Sequence, residues 1–506
     1  MQIILFPDQM RQLEQAHFAR SGMPSHLLMG RAALELAHAM DERGLVRGKR
    51  MTFVCGNGGN GGDGLEAARL CQALGARCSV VLAAPRGSVR GDAVHYLNLL
   101  PDSIPIRALD EVSEPDVWVD ALFGIGLSRD VTGLPAQCIE RMNASPAPVV
   151  SVDIPSGLDG RTGDILGCAV RADVTVTFQH AKPGHYLRHG LDCCGELVIR
   201  DIGISDACLD DVTALRPGDP PTPDFLERCS DDYVAALLPR RRHFSHKTTY
   251  GHLLLVAGSV GMAGAAAIAA KAAIHSGAGL VTIACPEALV PILQIHAPEA
   301  MCLPMPQNEH GALDASAVPA LERALRGKTA VAIGPGLSRS ASPEIVRAVL
   351  QCDLPAVIDA DALNLISADS SLKAMLGARH LITPHPGEAA RLIAATGDEV
   401  SDALTLAGLG CSVIYKGAVS LIAGDGQLIL SDTGSPCMAK GGSGDMLTGI
   451  AGALLAQGLA PTNAGIVASH VHGHAGEAAE RALGLRYPAA MDLIAQLPGV
   501  WQRLEA

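Results

Sequence analysis

Short, almost wholly apolar runs alternate along this chain with longer stretches whose apolar positions recur three or four residues apart. A continuous apolar run suits a strand buried on both faces, and the longer period suits a helix lying on a sheet. In the first half, 9–40 carries two helical patterns parted by Ser21-Gly22-Met23-Pro24, and strands are expected at 51–55, 77–84, 116–122, 148–154, 172–178 and 196–201. In the second half strands are expected near 252–257, 279–284, 330–333, 356–359, 380–383 and 411–415, with a hairpin at 420–430 around Asp425-Gly426. Strand–helix alternation of this kind predicts α/β architecture in two doubly wound domains. The stretch 205–223 is rich in Asp, Pro and Gly and has no period. It places the boundary, giving domains 1–215 and 225–506.

Composition narrows the class. At 506 residues the chain exceeds one ordinary core, and 48% hydrophobic against 18% charged residues points to large buried interiors. Aromatics are only 3%, while Gly and Ala abound, as where helices pack closely on sheets. A net charge of −13 argues against nucleic acid as a general partner. The 14 cysteines form no Cys-x-x-Cys pair and mostly sit in apolar patterns, so buried thiols in a reducing cytoplasm are expected. The start, Met-Gln-Ile-Ile-Leu-Phe-Pro, lacks the basic region of a signal peptide, and the longest uncharged run, 253–270, is broken by glycines, so no membrane partner is expected.

The chemistry concentrates after the strands. Gly441, Gly442, Ser443 and Gly444 lead into Asp445 and an apolar helical run. Glycines admit a ligand close to the backbone, and a helix opening here would aim N–H groups at an anion such as phosphate. Asp445 reads either as a helix cap or as a base taking a proton from a neighbouring hydroxyl. His385, held between two prolines, reads as a ligand contact, whereas Arg240-Arg241-Arg242-His243 reads as a solvated face. His470, His472 and His474 imitate a metal tract but are assigned to helix surface and packing, for want of a cysteine or nearby carboxylate.

In the first half Gly56, Gly58 and Gly61 satisfy G-x-G-x-x-G, but the next strand ends Ala-Ala-Pro-Arg, with no acid for a ribose. That excludes a standard dehydrogenase cofactor site. Asn60, Asp63, Asp120, Asp153 and Ser156 all fall at expected strand ends, and together they suggest one site. Their oxygens suit a hard cation, leaving one Asp for proton transfer.

The stretches 59–70, 119–127, 151–159 and 172–185 resemble the NAD(P)H-hydrate epimerase domain, a Rossmann-like fold. The resemblance implies that Asn60, Asp120 and Ser156 bind K⁺, and that Gly59, Asn60, Gly61, Gly62, Asp63, the segment Gly124, Ile125, Gly126, Leu127, Ser128, Arg129 and Asp130, and catalytic Asp153 hold the hydrated cofactor. The family usually has Asn where Gly59 stands. The stretches 245–259, 383–392 and 438–449 resemble the ADP-dependent NAD(P)H-hydrate dehydratase of the ribokinase-like superfamily. By that resemblance Gly264, Ala265, Gly336, His385 and Asp445 contact the hydrate, with Asp445 catalytic, and Lys416, Gly417, Ala418, Val419, Ser420 and Gly444 contact the nucleotide, with Mg²⁺ and ADP as cofactors. Ser420 stands where Thr is usual, and Ser435 and Cys437 replace an Asn-x-Gly pattern.

The resemblance implies a bifunctional isomerase and lyase. The first domain would interconvert the R and S hydrates of NADH and NADPH, and the second would dehydrate the S hydrate with ADP, giving AMP and phosphate. A homo-oligomer is expected. The alternatives are a ribokinase-like small-molecule kinase carrying an N-terminal binding module and, weakest, a dehydrogenase.

Overall fold

The computed structural model describes residues 1–213, 215 and 223–505. Two compact units divide it: one runs from Ile3 through Thr213, and the other holds Met1, Gln2 and 223–505.

After a short β1 (Gln2–Ile4), the first unit builds β2 (Arg50–Cys55), β3 (Arg77–Leu82), β4 (Ile106–Arg107), β5 (Val117–Ala121), β6 (Val149–Val152), β7 (Val174–Phe178) and β8 (Glu196–Arg200). They form one parallel sheet in the order β4-β3-β2-β5-β6-β7-β8. The chain winds outward from β2 to β4, then restarts on the other side of β2 at β5. The crevice outside the carboxyl ends of β2 and β5 is therefore the topological switch point, where such sheets bind ligands. Central strands are buried on both faces, as their continuous apolar runs require.

The glycine segment after β2 departs from the sequence reading in one respect. Its helix begins at Gly59 and runs to Ala73, so most of the expected loop is the helix's first turns. Close packing explains the glycines: a Cβ on Gly61 would lie 2.1 Å from the Gly56 carbonyl, and one on Gly64 would lie 2.4 Å from Ala121 Cβ.

The second unit adds β9 (Leu226–Arg228), β10 (His252–Val256), β11 (Leu280–Pro286), β12 (Met301–Met305), β13 (Ala330–Ile333), β14 (Ala356–Ile358), β15 (His380–Ile382), β16 (Ser412–Tyr415), β17 (Ser420–Gly424) and β18 (Gln427–Ser431). They run in the order β9-β18-β17-β16-β15-β14-β13-β10-β11-β12, with β17 antiparallel to both neighbours. The hairpin β17–β18 turns at Asp425 and Gly426, both at positive φ (48° and 74°), as a two-residue turn requires. Here the switch point lies between β10 and β13.

The helix Ser443–Ala456 crosses the core of this unit, buried from Met446 onward. It packs against the alanine-rich helix Ala263–His275; a Cβ on Gly449 would lie 2.2 Å from the Ala269 carbonyl, so only glycine permits the approach. The small-residue composition thus buys short interhelical distances.

Candidate active sites

In the first unit Asp120, on β5, is fully buried. Its Oδ1 accepts from Ser156 Oγ at 2.6 Å, and its Oδ2 accepts from the Ser156 N–H and from Ser151 Oγ, both at 2.8 Å. Ser156 Oγ also lies 3.2 Å from the Phe123 carbonyl. Burial raises the Asp120 pKa despite these hydrogen bonds. Two of the three expected K⁺ ligands therefore meet directly. Asn60 Nδ2 is buried without a hydrogen-bond partner, and its Oδ1 faces Gly124, 3.3 Å from where a Cβ would stand.

Asp153 leaves β6 at φ 65°, an uncommon angle for a residue with a side chain. Its Oδ1 accepts from Lys182 Nζ at 2.5 Å and Thr177 Oγ1 at 2.9 Å, while Oδ2 faces Gly124. Burial acts to raise its pKa, but the Lys182 ammonium outweighs that and holds the carboxyl below its usual value. His185 buttresses the turn: Nδ1 accepts from the Lys182 N–H at 3.0 Å, so Nε2–H donates to the Asp153 carbonyl at 2.9 Å. Burial and Lys182 push the His185 pKa down to about 4, which keeps that neutral tautomer. Asp63, by contrast, is pushed well above the carboxylate range by burial and by Asp153. Burial and Asp153 thus raise one carboxyl while Lys182 lowers the other, a divergence that suits an acid–base pair. Ile125 lies on the same rim, its carbonyl accepting from Arg11 at 3.1 Å. Gly59, Gly61 and Gly62 lie in the first turn of the helix Gly59–Ala73.

In the second unit the ends of β10, β13, β14, β15 and β16 converge. Gly336, at φ 59°, sits so close to the start of the helix Ala263–His275 that a Cβ would lie 2.6 Å from the Met262 carbonyl and 3.0 Å from Ala265 Cβ. That gathers Gly336, Ala265 and Gly264 at the switch point. Asp359, just past β14 and 2% exposed, accepts from Lys416 Nζ at 2.7 Å and from Thr448 Oγ1 at 2.7 Å. Burial opposes its ionisation, but Lys416 prevails and its pKa is lowered. Lys416 in turn is partly buried, its side chain 20% exposed, yet Asp359 and Glu388 raise its pKa; its Nζ lies 3.7 Å from Glu388 Oε2. A Cβ on Gly444 would stand 3.7 Å from that Nζ, which brings the glycine loop onto the pair.

Asp445 is at the third position of the helix Ser443–Ala456, after Gly442 at φ 95°. Burial, and then Asp359, raise its pKa to about 6 against the pull of Lys416. The N-cap of this helix is Gly442, so Asp445 is not the capping residue. His385 instead is a cap: its Nδ1 accepts from the Gly387 N–H at 3.0 Å, while the ring remains half exposed at the site's mouth. Ser420 opens β17, next to the Lys416–Val419 turn. The 240–243 run is exposed, as expected.

The histidine triplet requires a correction. His470 is 3% exposed, not surface, and its Nε2 lies 2.7 Å from Asp231 Oδ1. The carboxylate was invisible in sequence because it comes from 239 residues away. His472 points the other way, its Nε2 3.1 Å from Ser443 Oγ, with its pKa lowered to about 4 by burial.

Sequence reasoning gave no role to Asp359, Thr448, Glu388, Lys182 or His185. The signals were present: Asp359 ends a strand, and Lys-Pro-Gly-His follows β7.

With this geometry in hand, comparison with known proteins is direct. A family model described as NAD(P)H-hydrate dehydratase matches residues 253–498, and one described as YjeF-related protein N-terminus matches 25–184. The bifunctional NAD(P)H-hydrate repair enzyme of Moorella thermoacetica is 37% identical over 520 residues, covering 98% of this chain and 96% of the relative. Its namesake in Coxiella burnetii is 36% identical over 502 residues, 97% of each chain, and that of Escherichia coli is 31% identical over 517 residues, 98% of this chain and 93% of the relative. A solved ADP/ATP-dependent NAD(P)H-hydrate dehydratase from Bacillus subtilis, crystallised with ATP and Mg²⁺, is 31% identical over 55% of this chain and 99% of its own, with a TM-score of 0.47. Two matched halves and relatives aligned across nearly the whole chain place the protein in the family of bifunctional NAD(P)H-hydrate repair enzymes.

Proposed function

We propose that residues 1–215 epimerise the hydrates of NADH and NADPH and that residues 225–506 dehydrate the S hydrate at the expense of ADP. The hydrate carries a hydroxyl on the ring carbon next to the ring nitrogen. In the first domain protonated Asp63 gives its proton to that hydroxyl, which leaves as water as the nitrogen lone pair forms a C=N⁺ bond. Ionised Asp153 then takes a proton from a water adding to the other face. Lys182 keeps Asp153 ionised, and Gly124 leaves its Oδ2 uncovered.

The first domain has residues fit for K⁺. Asp120 Oδ1, Ser156 Oγ and the Phe123 carbonyl already cluster, Asn60 presents its Oδ1 toward Gly124, and a buried carboxyl with a raised pKa gains from a monovalent cation. Only one ligand is charged, which suits K⁺ better than Mg²⁺. Bound there, the ion would neutralise Asp120 and fix the two rim loops.

In the second domain Asp445 takes the hydroxyl proton and the oxygen attacks the terminal phosphorus of ADP, releasing AMP. The ring nitrogen then expels phosphate as a C=N⁺ bond forms, and the neighbouring ring carbon gives up a proton to the departing phosphate, restoring the dihydronicotinamide. N–H groups of 441–444 face the transferring group. Asp361, close enough to raise the Asp445 pKa, and Glu388 are the carboxylates that would hold Mg²⁺, which neutralises phosphate charge. Lys416–Ser420 border the nucleotide, and Gly264, Ala265, Gly336 and His385 border the hydrate. The reading rests above all on Asp445, half-buried and with its pKa at about 6 beside the glycine loop. The test is stoichiometry: one AMP and one phosphate for each dihydronicotinamide formed supports it, whereas a stable phosphorylated product would favour a kinase.

A further inference from the structure

The cluster at Asp231 has no part in the chemistry above. Asp231 is the first residue of the short helix Asp231–Leu237, and His470 and His474 lie one turn apart on the helix Pro461–Leu483. His474 Nε2 is 3.1 Å from Asp231 Oδ1 and 3.1 Å from His470 Nε2, and His470 Nε2 is 2.7 Å from the same oxygen. Three potential ligand atoms thus share one small triangle.

Proton accounting shows that hydrogen bonds alone leave the triangle short of donors. His474 Nδ1 faces Glu477 Oε2 at 2.9 Å, so its proton belongs there and Nε2 offers a lone pair. That lone pair points at a carboxylate oxygen and at the other ring. With both rings neutral, the His470 Nε2–H is one proton between two acceptors, Asp231 Oδ1 and His474 Nε2. A cation at the centre takes a lone pair from each of the three atoms, with the His470 proton moved to the buried Nδ1.

We propose that Asp231, His470 and His474 bind a divalent transition-metal ion of the zinc class. Two imidazoles and a carboxylate are borderline ligands that suit zinc. At metal–ligand lengths of about 2.0–2.1 Å a tetrahedral edge is roughly 3.3 Å, so the triangle opens by only a few tenths of an ångström. Glu477 supplies the carboxylate that orients a ligating histidine through its second nitrogen. Asp231 is 46% exposed, which leaves a fourth position open to water. Arg503 Nε sits 3.3 Å from the other oxygen, Oδ2, and steers Oδ1 inward.

The ion would pin a segment near the start of the second unit to its longest helix. The same helix reaches the glycine loop: Glu477 accepts from the Gly434 N–H at 3.1 Å, Thr433 donates to the His470 carbonyl at 3.2 Å, and His472 meets Ser443. Metal binding therefore braces the wall behind Asp445 without touching the substrate.

The test uses the full chain stripped with a chelator and titrated with Co²⁺. Expected are the visible bands of a tetrahedral nitrogen–oxygen site saturating at one equivalent, no thiolate charge-transfer band, displacement by Zn²⁺, and a rise in Tm on adding Zn²⁺. His474→Gln and Asp231→Asn should lose both responses, and Glu477→Gln should weaken Co²⁺ binding about 10–100-fold. The proposal is overturned if the wild-type chain shows no stoichiometric band, if the band carries thiolate character from the cysteines, or if His474→Gln binds Co²⁺ as the wild type does.

Discussion

Lys416 Nζ donates to Asp359 Oδ1 across 2.7 Å, and this buried pair commits the lysine's charge to Asp359 rather than to Asp445. Asp359 adds its negative charge to the burial of Asp445, so the latter titrates at about 6 instead of the usual carboxylate value of 3.8. If Asp445 is the base, kcat/KM for dehydration should fall as pH drops through about 6, with a slope of one proton. Asp445→Asn should lose on the order of 10²–10⁴ in dehydration rate and leave epimerisation intact. Near-normal dehydration by that variant removes Asp445 from the mechanism.

The same shift fixes the sign of a stability effect. A carboxyl whose pKa is higher folded than unfolded binds its proton more tightly in the folded chain, so stability is lost as pH rises from about 4 through 6. Asp445→Asn should therefore be more stable than the wild type at pH 8, by on the order of 2 kcal/mol, and the difference should vanish below about pH 4. Urea unfolding at the two pH values measures it.

Removing the partner of a buried charge is costly in a way that removing an exposed one is not. Lys416→Met leaves Asp359 ionised or forced to protonate in a buried site, and should destabilise the second unit by about 3–5 kcal/mol. Urea unfolding of this variant against the wild type reads that loss directly. Exposed pairs such as Arg20–Asp211, in the first unit, should contribute less than about 1 kcal/mol.

In the first unit, Asp153→Asn should abolish epimerisation while dehydration of the pure S hydrate continues at the wild-type rate. Asp120→Ala should impair epimerisation and weaken its dependence on K⁺ over Na⁺. Chelating Mg²⁺ should do the reverse, stopping dehydration and sparing epimerisation. Separate assays on pure R and pure S hydrate distinguish the three outcomes.

The strand pattern was legible because buried parallel strands are continuous apolar runs, and β10, β13 and β16 lie where the runs are. The strands that escaped notice, β1, β4, β9 and β12, are short or lie at sheet edges where burial no longer dictates composition. Site residues carried by glycine loops were legible for a similar reason, since Gly444-Asp445 announces itself locally. Partnerships were not. Lys182 meets Asp153 across 29 residues, Lys416 meets Asp359 across 57, and His470 meets Asp231 across 239. Such pairings depend on strand order, and β10 next to β13 or β2 next to β5 is a property of the sheet that no local period encodes. The histidine triplet was misjudged on that account alone.

The most direct test of two linked activities in one chain starts from an equal mixture of R and S hydrated NADH, held at a temperature where spontaneous epimerisation is slow. With the purified protein, ADP, Mg²⁺ and K⁺, dihydronicotinamide absorbance should return for the whole mixture; without ADP it should not return at all. With Asp153→Asn, recovery should stop near half. Recovery without ADP, or full recovery at an undiminished rate by the Asp153 variant, would contradict the account.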